Sequence, residues 1–234
     1  MMATKPAPAA MIGDADGLDI VRSIHPLDAA MEKRLAAYVE LVLKWQPVKN
    51  LVAPSTLPEI WKRHVADGAQ ALAALPGARS WLDIGSGAGF PGLVTAILLA
   101  EVDGASVTLI ESNTRKAAFL TTVARELKLP AKVLNIRIES AAERLSGTRF
   151  DAVSARALAS LDELFAYAEP WLGAGATGVF HKGQDFGRES RLAAQSWAFD
   201  LVERESRIEP DSRIVLVSRL HRLPASPTAQ DALR

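Results

Sequence analysis

From Leu27 to Trp45 the apolar residues Leu27, Ala30, Met31, Leu35, Tyr38, Val39, Val42 and Trp45 recur at three-and-four spacing, which predicts one amphipathic helix. Pro47 is expected to end it, because proline removes a donor and clashes with the preceding turn. A second helix is predicted from Pro58 to Leu75, with Pro58 in its first turn, Thr56 as a cap and Pro76-Gly77 as its stop. Together these helices predict an N-terminal helical cap over residues 27–77.

From Ser80 onward the pattern changes to short apolar runs alternating with helical stretches. Strands are expected at Trp81 to Ile84, Ser106 to Ile110, Lys132 to Ile136, Phe150 to Ser154 and Thr177 to His181. Helices are expected at Pro91 to Ala100, Thr114 to Leu127, Leu161 to Leu172 and Arg188 to Ser196. Such β-α alternation implies a parallel, doubly wound sheet of the α/β class. Two late strands, near Phe199 to Glu205 and Arg213 to Arg219, flank the polar turn Glu209 to Ser212 and read as an antiparallel hairpin closing the edge. The expected architecture is therefore a Rossmann-like, seven-stranded, mostly parallel sheet over residues 78–223. Residues 1–26 and 224–234 are low in complexity and are predicted to be disordered tails.

Composition narrows the chemistry. A chain of 234 residues, 49% of them hydrophobic, can bury one full core. With no cysteine there is no disulfide, no cysteine-type zinc site and no thiolate catalysis, and a reducing cytoplasm is the expected home. The apolar stretch Phe90 to Ala100 is too short to span a membrane. Lys and Arg number 27 against 27 Asp and Glu, so overall charge lends nucleic-acid binding no support. Between Lys182 and Arg222 the balance is eight Lys/Arg against seven Asp/Glu, so a basic surface would have to come from clustering in space.

The decisive segment is Trp81-Leu82-Asp83-Ile84-Gly85-Ser86-Gly87-Ala88-Gly89-Phe90-Pro91-Gly92, where the first strand turns into its helix. In an open α/β sheet ligands bind at such turns, and glycines there let backbone approach a ligand closely. Gly87-x-Gly89-x-x-Gly92 satisfies the dinucleotide fingerprint, with Glu111 at a suitable distance for a ribose. Read from Asp83, the acidic-x-Gly-x-Gly-x-Gly pattern resembles the first motif of class I S-adenosylmethionine-dependent methyltransferases. That reading is preferred for two reasons. An acid at the strand end suits a cationic ligand better than a pyrophosphate, and a sheet ending in a hairpin is unusual for a dehydrogenase.

S-adenosylmethionine is therefore the expected cofactor, with Gly85, Gly87 and Gly89 forming its loop. Glu111, closing the second strand, is expected to accept hydrogen bonds from both ribose hydroxyls, the alternative being a helix-capping acid. After the third strand, where class I methyltransferases hold the adenine, stand Ile138 and Glu139, the latter alternatively a solvated acid. Arg156 follows the fourth strand and can hold the cofactor carboxylate or an RNA phosphate, the alternative being a surface ion pair.

Absent residues demote several acceptors. Methylation at pyrimidine C5 needs a cysteine nucleophile, and Ser154-Ala155-Arg156-Ala157 bears no likeness to the Asn/Asp-Pro-Pro-aromatic motif of exocyclic amine methylation. What remains is an acceptor that is already nucleophilic, or a small molecule.

The chain resembles the ribosomal RNA small subunit methyltransferase G family, also called GidB, over roughly Leu35 to Leu220. The carriers are Trp45 through Asn50-Leu51, Arg63-His64-x-x-Asp67, Asp83 through Gly92, Lys116 through Phe119, Ser154-Ala155-Arg156-Ala157-x-Ala159 and His181-Lys182-Gly183. The sequence departs from the family's common residues at Gln46, Val52 and Gly68, where Asn, Thr and Ser are usual. The resemblance implies methylation of N7 of one guanine in a functional loop of 16S ribosomal RNA, with Gly85, Phe90, Ile138, Glu139 and Arg156 lining the cofactor site. Guanine N7 carries a free lone pair, so neither a catalytic acid or base nor a metal is expected. Asn50, His64 and Lys182 are the candidate RNA contacts; the alternatives are a turn residue, a packed histidine and a solvated lysine. The expected partner is 16S rRNA or the small ribosomal subunit, not DNA or a membrane, with the protein acting as a monomer. Two other readings stand beside this one: a small-molecule methyltransferase using the N-terminal helices as a lid, and a non-catalytic sensor of S-adenosylmethionine or a nucleotide.

Overall fold

A computed structural model of the chain describes residues 13–224. Seven strands form one sheet: β1 (Ser80–Ile84), β2 (Ser106–Ile110), β3 (Ala131–Leu134), β4 (Ala152–Arg156), β5 (Thr177–Lys182), β6 (Trp197–Glu205) and β7 (Arg213–Arg222). Their spatial order is β3-β2-β1-β4-β5-β7-β6. The first five run parallel, β7 pairs antiparallel with β5, and β6 pairs antiparallel with β7. The expected hairpin at the sheet edge is thus present. Strand order reverses between β1 and β4, so their carboxyl ends open a crevice at the topological switch point. Gly85 and Arg156 stand at those two ends.

Helices cover both faces: α1 (Asp14–Arg22), α2 (Ala29–Lys49), α3 (Asp67–Ala74), α4 (Gly92–Leu98) and α5 (Thr114–Glu126) come first, then the short α6 (Ala141–Arg144), α7 (Leu161–Leu172) and α8 (Phe186–Ala193). On one face Tyr38, Val42, Trp61 and Val65 share a core with Leu93, Ile97 and Phe119. On the other, Leu82 and Ile84 pack with Phe165, Trp171, Phe180 and Phe186. The N-terminal helical segment is therefore built into the larger core instead of resting on a finished surface.

Three expectations need correction. Pro47 does not end the first helix but lies inside α2, two residues from its end, where only one main-chain bond is forfeited. The helix stops at Asn50, whose left-handed φ of 46° turns the chain while its N–H bonds the Gln46 carbonyl at 3.0 Å. The second helix is three pieces, a 3-10 segment Pro54–Glu59, a widened π-helical turn Trp61–Ala66 and then α3. The widened turn lets both the Arg63 carbonyl and the His64 ring meet a guanidinium from the carboxyl end of β4.

The third correction concerns the N-terminal tail, since within the described part of 1–26 the chain forms α1, docked on that widened turn. Gly17 lies against the indole of Trp61, where a β-carbon would fall 2.2 Å from Cγ, and the Trp61 Nε1–H donates to Asp14 at 3.2 Å. Ala15, Leu18 and Val21 recur at three-residue spacing and give this short helix an amphipathic face, with Gly17 and Val21 buried; the bulk it covers belongs to Trp61. Residues 1–12 and 225–234 of the expected tails lie outside the described residues.

Candidate active site

The loop after β1 can follow its path only because of its glycines. Gly85 and Gly87 have φ of +67° and +57°, and a β-carbon on Gly85 would sit 2.5 Å from Leu158 Cδ1. They line a cavity of about 390 Å³ at the switch point, together with Phe90, Glu111, Ile138 and Arg156. Six of the eight residues expected at the cofactor are therefore brought together. Gly89 and Glu139 are not among the residues lining it. Gly89, at φ +99°, faces the core, where an added β-carbon would strike Leu93 and the Tyr38 hydroxyl. Glu139 is exposed beside Arg137.

Glu111 is 8% exposed, and its carboxylate accepts from the Gly87 N–H at 2.8 Å and the Asn113 N–H at 2.7 Å. Capping of α5 falls instead to Asn113, which accepts from Arg115 and Lys116. Glu111 therefore fixes the glycine loop, and the second lone pair on each oxygen is left for a ligand diol. The acid expected to face a cationic ligand, Asp83, is instead buried beneath the loop. Its Oδ1 accepts from Ser154 Oγ at 2.6 Å, and burial pushes its pKa up to about 6.

Arg156 closes the cavity. Its Nη1 donates to Asp67 Oδ2 and to the Arg63 carbonyl, each at 2.9 Å, its Nη2 donates to His64 Nδ1 at 2.7 Å, and its guanidinium lies 5.4 Å from the Phe90 ring centre. His64 stacks on Phe90 at 5.0 Å and engages Thr56 Oγ1 through Nε2 at 2.7 Å. Burial, reinforced by the Arg156 charge, lowers its pKa to about 3. The imidazole is neutral, with Nδ1 accepting and Nε2–H donating.

Behind that wall lies a second cavity of about 360 Å³, which shares His64, Arg156 and Ala157 with the first. Four cations, Arg63, Arg156, Lys182 and Arg213, line it against two carboxylates, Asp67 and Glu209. Lys182 is not solvated; its Nζ lies 2.5 Å from Glu189 and donates to the Ala159 carbonyl. His181, buried and held neutral, donates through Nε2 to the Asp67 carbonyl at 2.9 Å. Asn50 lines neither cavity; its turn brings Leu51 and Val52 to the first.

Asp67, Arg63, Thr56, Gln46 and Glu209 join the site without a sequence pattern that marks them as such. The first two stand in the Arg63-His64-x-x-Asp67 motif, which places them beside His64 without assigning them a partner.

A glycine loop with an acid at the end of the next strand, at the switch point of a sheet closed by an antiparallel hairpin, defines the class I methyltransferase fold. Solved structures agree at the level of fold. The SAH-bound Podospora anserina methyltransferase PaMTH1 superposes with a TM-score of 0.60 over 88% of this chain and 94% of that one, at 11% identity. The O-methyltransferase TomG from Streptomyces achromogenes, in complex with SAM, gives 0.55 over 84% and 93%, at 16% identity. Within that class, the family model described as rRNA small subunit methyltransferase G matches residues 31–211, and the chain belongs to this family. Proteins named ribosomal RNA small subunit methyltransferase G are 48% identical to it, in Rhizobium etli over 81% of this chain and 93% of the relative, and in Brucella canis over 87% and 95%.

Proposed function

We propose that the protein transfers the methyl group of S-adenosylmethionine to N7 of a guanine in 16S ribosomal RNA. The observation that carries this reading is the meeting of two cavities at His64, Arg156 and Ala157, one floored by the glycine loop, the other rich in cations. S-adenosylmethionine, when bound, supplies an electrophilic methyl group. Gly85, Gly87, Phe90, Glu111, Ile138 and Arg156 hold it, with the main chain of the loop close against it and Glu111 accepting from its ribose. Arg63 and Arg213 draw the RNA backbone to the rim of the second cavity.

The donors and acceptors at the shared wall favour an acceptor that needs no deprotonation. His64 has both ring nitrogens engaged and is neutral down to about pH 3, and His181 is tied to the Asp67 carbonyl. N7 of guanine has an in-plane lone pair and no proton to lose. The residues therefore act by orientation and by excluding water.

We further infer that the partner is the small ribosomal subunit or its RNA, not DNA or a membrane, and that the protein works as a monomer in the cytoplasm. Among the described residues no helix is long and apolar enough to cross a membrane. The large apolar side chains left exposed, such as Val48, Val102 and Leu192, are scattered along the chain.

The test is transfer of labelled methyl from S-adenosylmethionine to small subunits prepared without the modification, followed by nucleoside mass spectrometry. Appearance of 7-methylguanosine is the expected result. Cofactor binding without label on particles or on naked RNA would sink the ribosomal reading and favour a small-molecule acceptor.

A further inference from the structure

Recognition of one base type requires groups that match its edge. Guanine differs from adenine in presenting two adjacent donors, N1–H and the 2-amino group, which a carboxylate can accept together. Of the two carboxylates lining the second cavity, Asp67 is already committed, with Oδ2 on Arg156 and Oδ1 accepting from Gln70 Nε2 at 2.9 Å. Glu209 is different. Among the described residues its only charged partner is Arg63, at 3.7 Å, and both side chains are about two-fifths exposed. So loose a pair is readily exchanged for a ligand.

The main chain beneath Glu209 is nevertheless fixed. In the corner between β6 and β7, Ser206 Oγ accepts from the N–H groups of Ile208 and Glu209 at 3.1 Å, and the Glu209 carbonyl accepts from the Ser212 N–H at 3.0 Å. Gln70, 4% exposed, ties that corner to the site. Its Oε1 accepts from the Arg207 N–H at 2.8 Å, and its Nε2 donates to Ser206 Oγ as well as to Asp67. One buried amide thus couples the corner carrying Glu209 to the carboxylate that holds Arg156.

We propose that Glu209 is the residue that selects guanine, its carboxylate accepting hydrogen bonds from N1–H and the 2-amino group of the acceptor base. This rests on the N7 reading above. With N7 turned to the wall that both cavities share, the six-membered ring extends into the part that belongs to the second cavity alone, where Glu209 stands. Arg63, released from Glu209 on binding, is then left to a phosphate.

The test compares small subunits reconstituted with guanine or inosine, which lacks the 2-amino group, at the acceptor position, and reads kcat/KM for each. Wild-type protein is expected to prefer guanine by roughly tenfold or more. Glu209→Ala lowers kcat/KM on guanine by a similar factor and brings the guanine-to-inosine ratio near one, with S-adenosylmethionine affinity unchanged by calorimetry. Arg63→Ala breaks the same ion pair but lowers both substrates equally and keeps the ratio. The proposal is overturned if wild type treats the two bases alike, if Glu209→Ala retains the wild-type ratio, or if Arg63→Ala loses the ratio too. Absence of 7-methylguanosine with wild-type protein on guanine subunits is a separate outcome; it removes the N7 reading itself, and this inference with it.

Discussion

The guanidinium of Arg156 donates through Nη2 to Nδ1 of His64 at 2.7 Å, fixing the histidine in the tautomer that carries its proton on Nε2. That proton faces Thr56 Oγ1, and the threonine hydroxyl in turn donates to the Ala53 carbonyl at 2.8 Å. The chain of bonds runs from the end of β4, through the widened turn, into the 3-10 segment. Arg156 is thus the fastener between the carboxyl end of the central strand β4 and the N-terminal helices, at the wall the two cavities share.

Replacing Arg156 by alanine leaves the Asp67 carboxylate, 13% exposed, without its charge partner and removes the donor on His64. We expect a stability loss of about 2–3 kcal/mol in urea unfolding, together with weaker cofactor binding and strongly reduced methyl transfer. Arg156→Lys keeps a charge for Asp67 but not the fork that reaches three partners. It should recover stability more fully than transfer. Equal recovery of both would show that Arg156 contributes only its charge.

The glycine loop offers a graded comparison. Gly87→Ala meets only the left-handed backbone penalty, roughly 1–2 kcal/mol, because the nearest atom to its new β-carbon is 3.9 Å away. Gly85→Ala adds a clash with Leu158, whose side chain forms part of the cavity wall. Calorimetric titration with S-adenosylmethionine should therefore show a larger affinity loss for Gly85→Ala than for Gly87→Ala. The reverse order would mean that the Gly87 N–H contact to Glu111 matters more than the cavity wall.

Much of this site was legible from local pattern. The order of strands and helices, the loop at β1 and Glu111 at the end of β2 all followed from periodicity and spacing, because parallel βα units have strong short-range signals. What was not legible depends on contacts between distant segments. Asp67 and Arg156 are 89 residues apart, and Gln70 and Ser206 are 136 apart. The position of Asp83 at the strand end is visible in sequence and suggests an acid facing a cation, whereas its bond to the Ser154 hydroxyl beneath the loop is not visible there. Likewise Leu18 and Val21 give α1 an amphipathic pattern, but the fit of its Gly17 against the distant Trp61 indole is not visible in that pattern.

Gln46 has a defined task in the turn after α2. Its Oε1 accepts from the N–H groups of Leu51 and Val52 at 2.9 and 3.1 Å, and its Nε2 donates to the Val52 carbonyl at 2.8 Å. These bonds shape the turn that delivers Leu51 and Val52 to the cavity at the glycine loop. Gln46→Ala leaves these main-chain groups unpaired in a buried setting and should cost about 2–3 kcal/mol. Cofactor affinity is expected to fall as well. Unchanged affinity in a destabilised Gln46→Ala protein would confine the clamp to a structural role.

The buried histidine makes stability depend on pH with a predictable sign. In the unfolded chain an imidazole takes up its proton near 6.5, while His64 in the fold resists until about 3, because burial and the Arg156 charge both oppose the cation. Between these values the unfolded chain binds more protons, so stability rises with pH across the window. The contribution is complete above about 6.5 and is lost as pH falls toward 3. Asp83 acts in the opposite sense: its pKa, raised by burial to about 6, makes the fold the better proton binder from there down to 3.8. The two effects partly cancel in the wild type, and a variant is needed to separate them. We expect His64→Gln to be less stable than wild type at pH 7, with the gap narrowing by about 2 kcal/mol at pH 4.5 in paired urea titrations. His181, also lowered by burial, is present in both proteins and largely drops out of the difference. A gap that stays constant between the two pH values would mean that His64 is solvated enough to titrate normally, and the neutral imidazole at the shared wall would have to be abandoned.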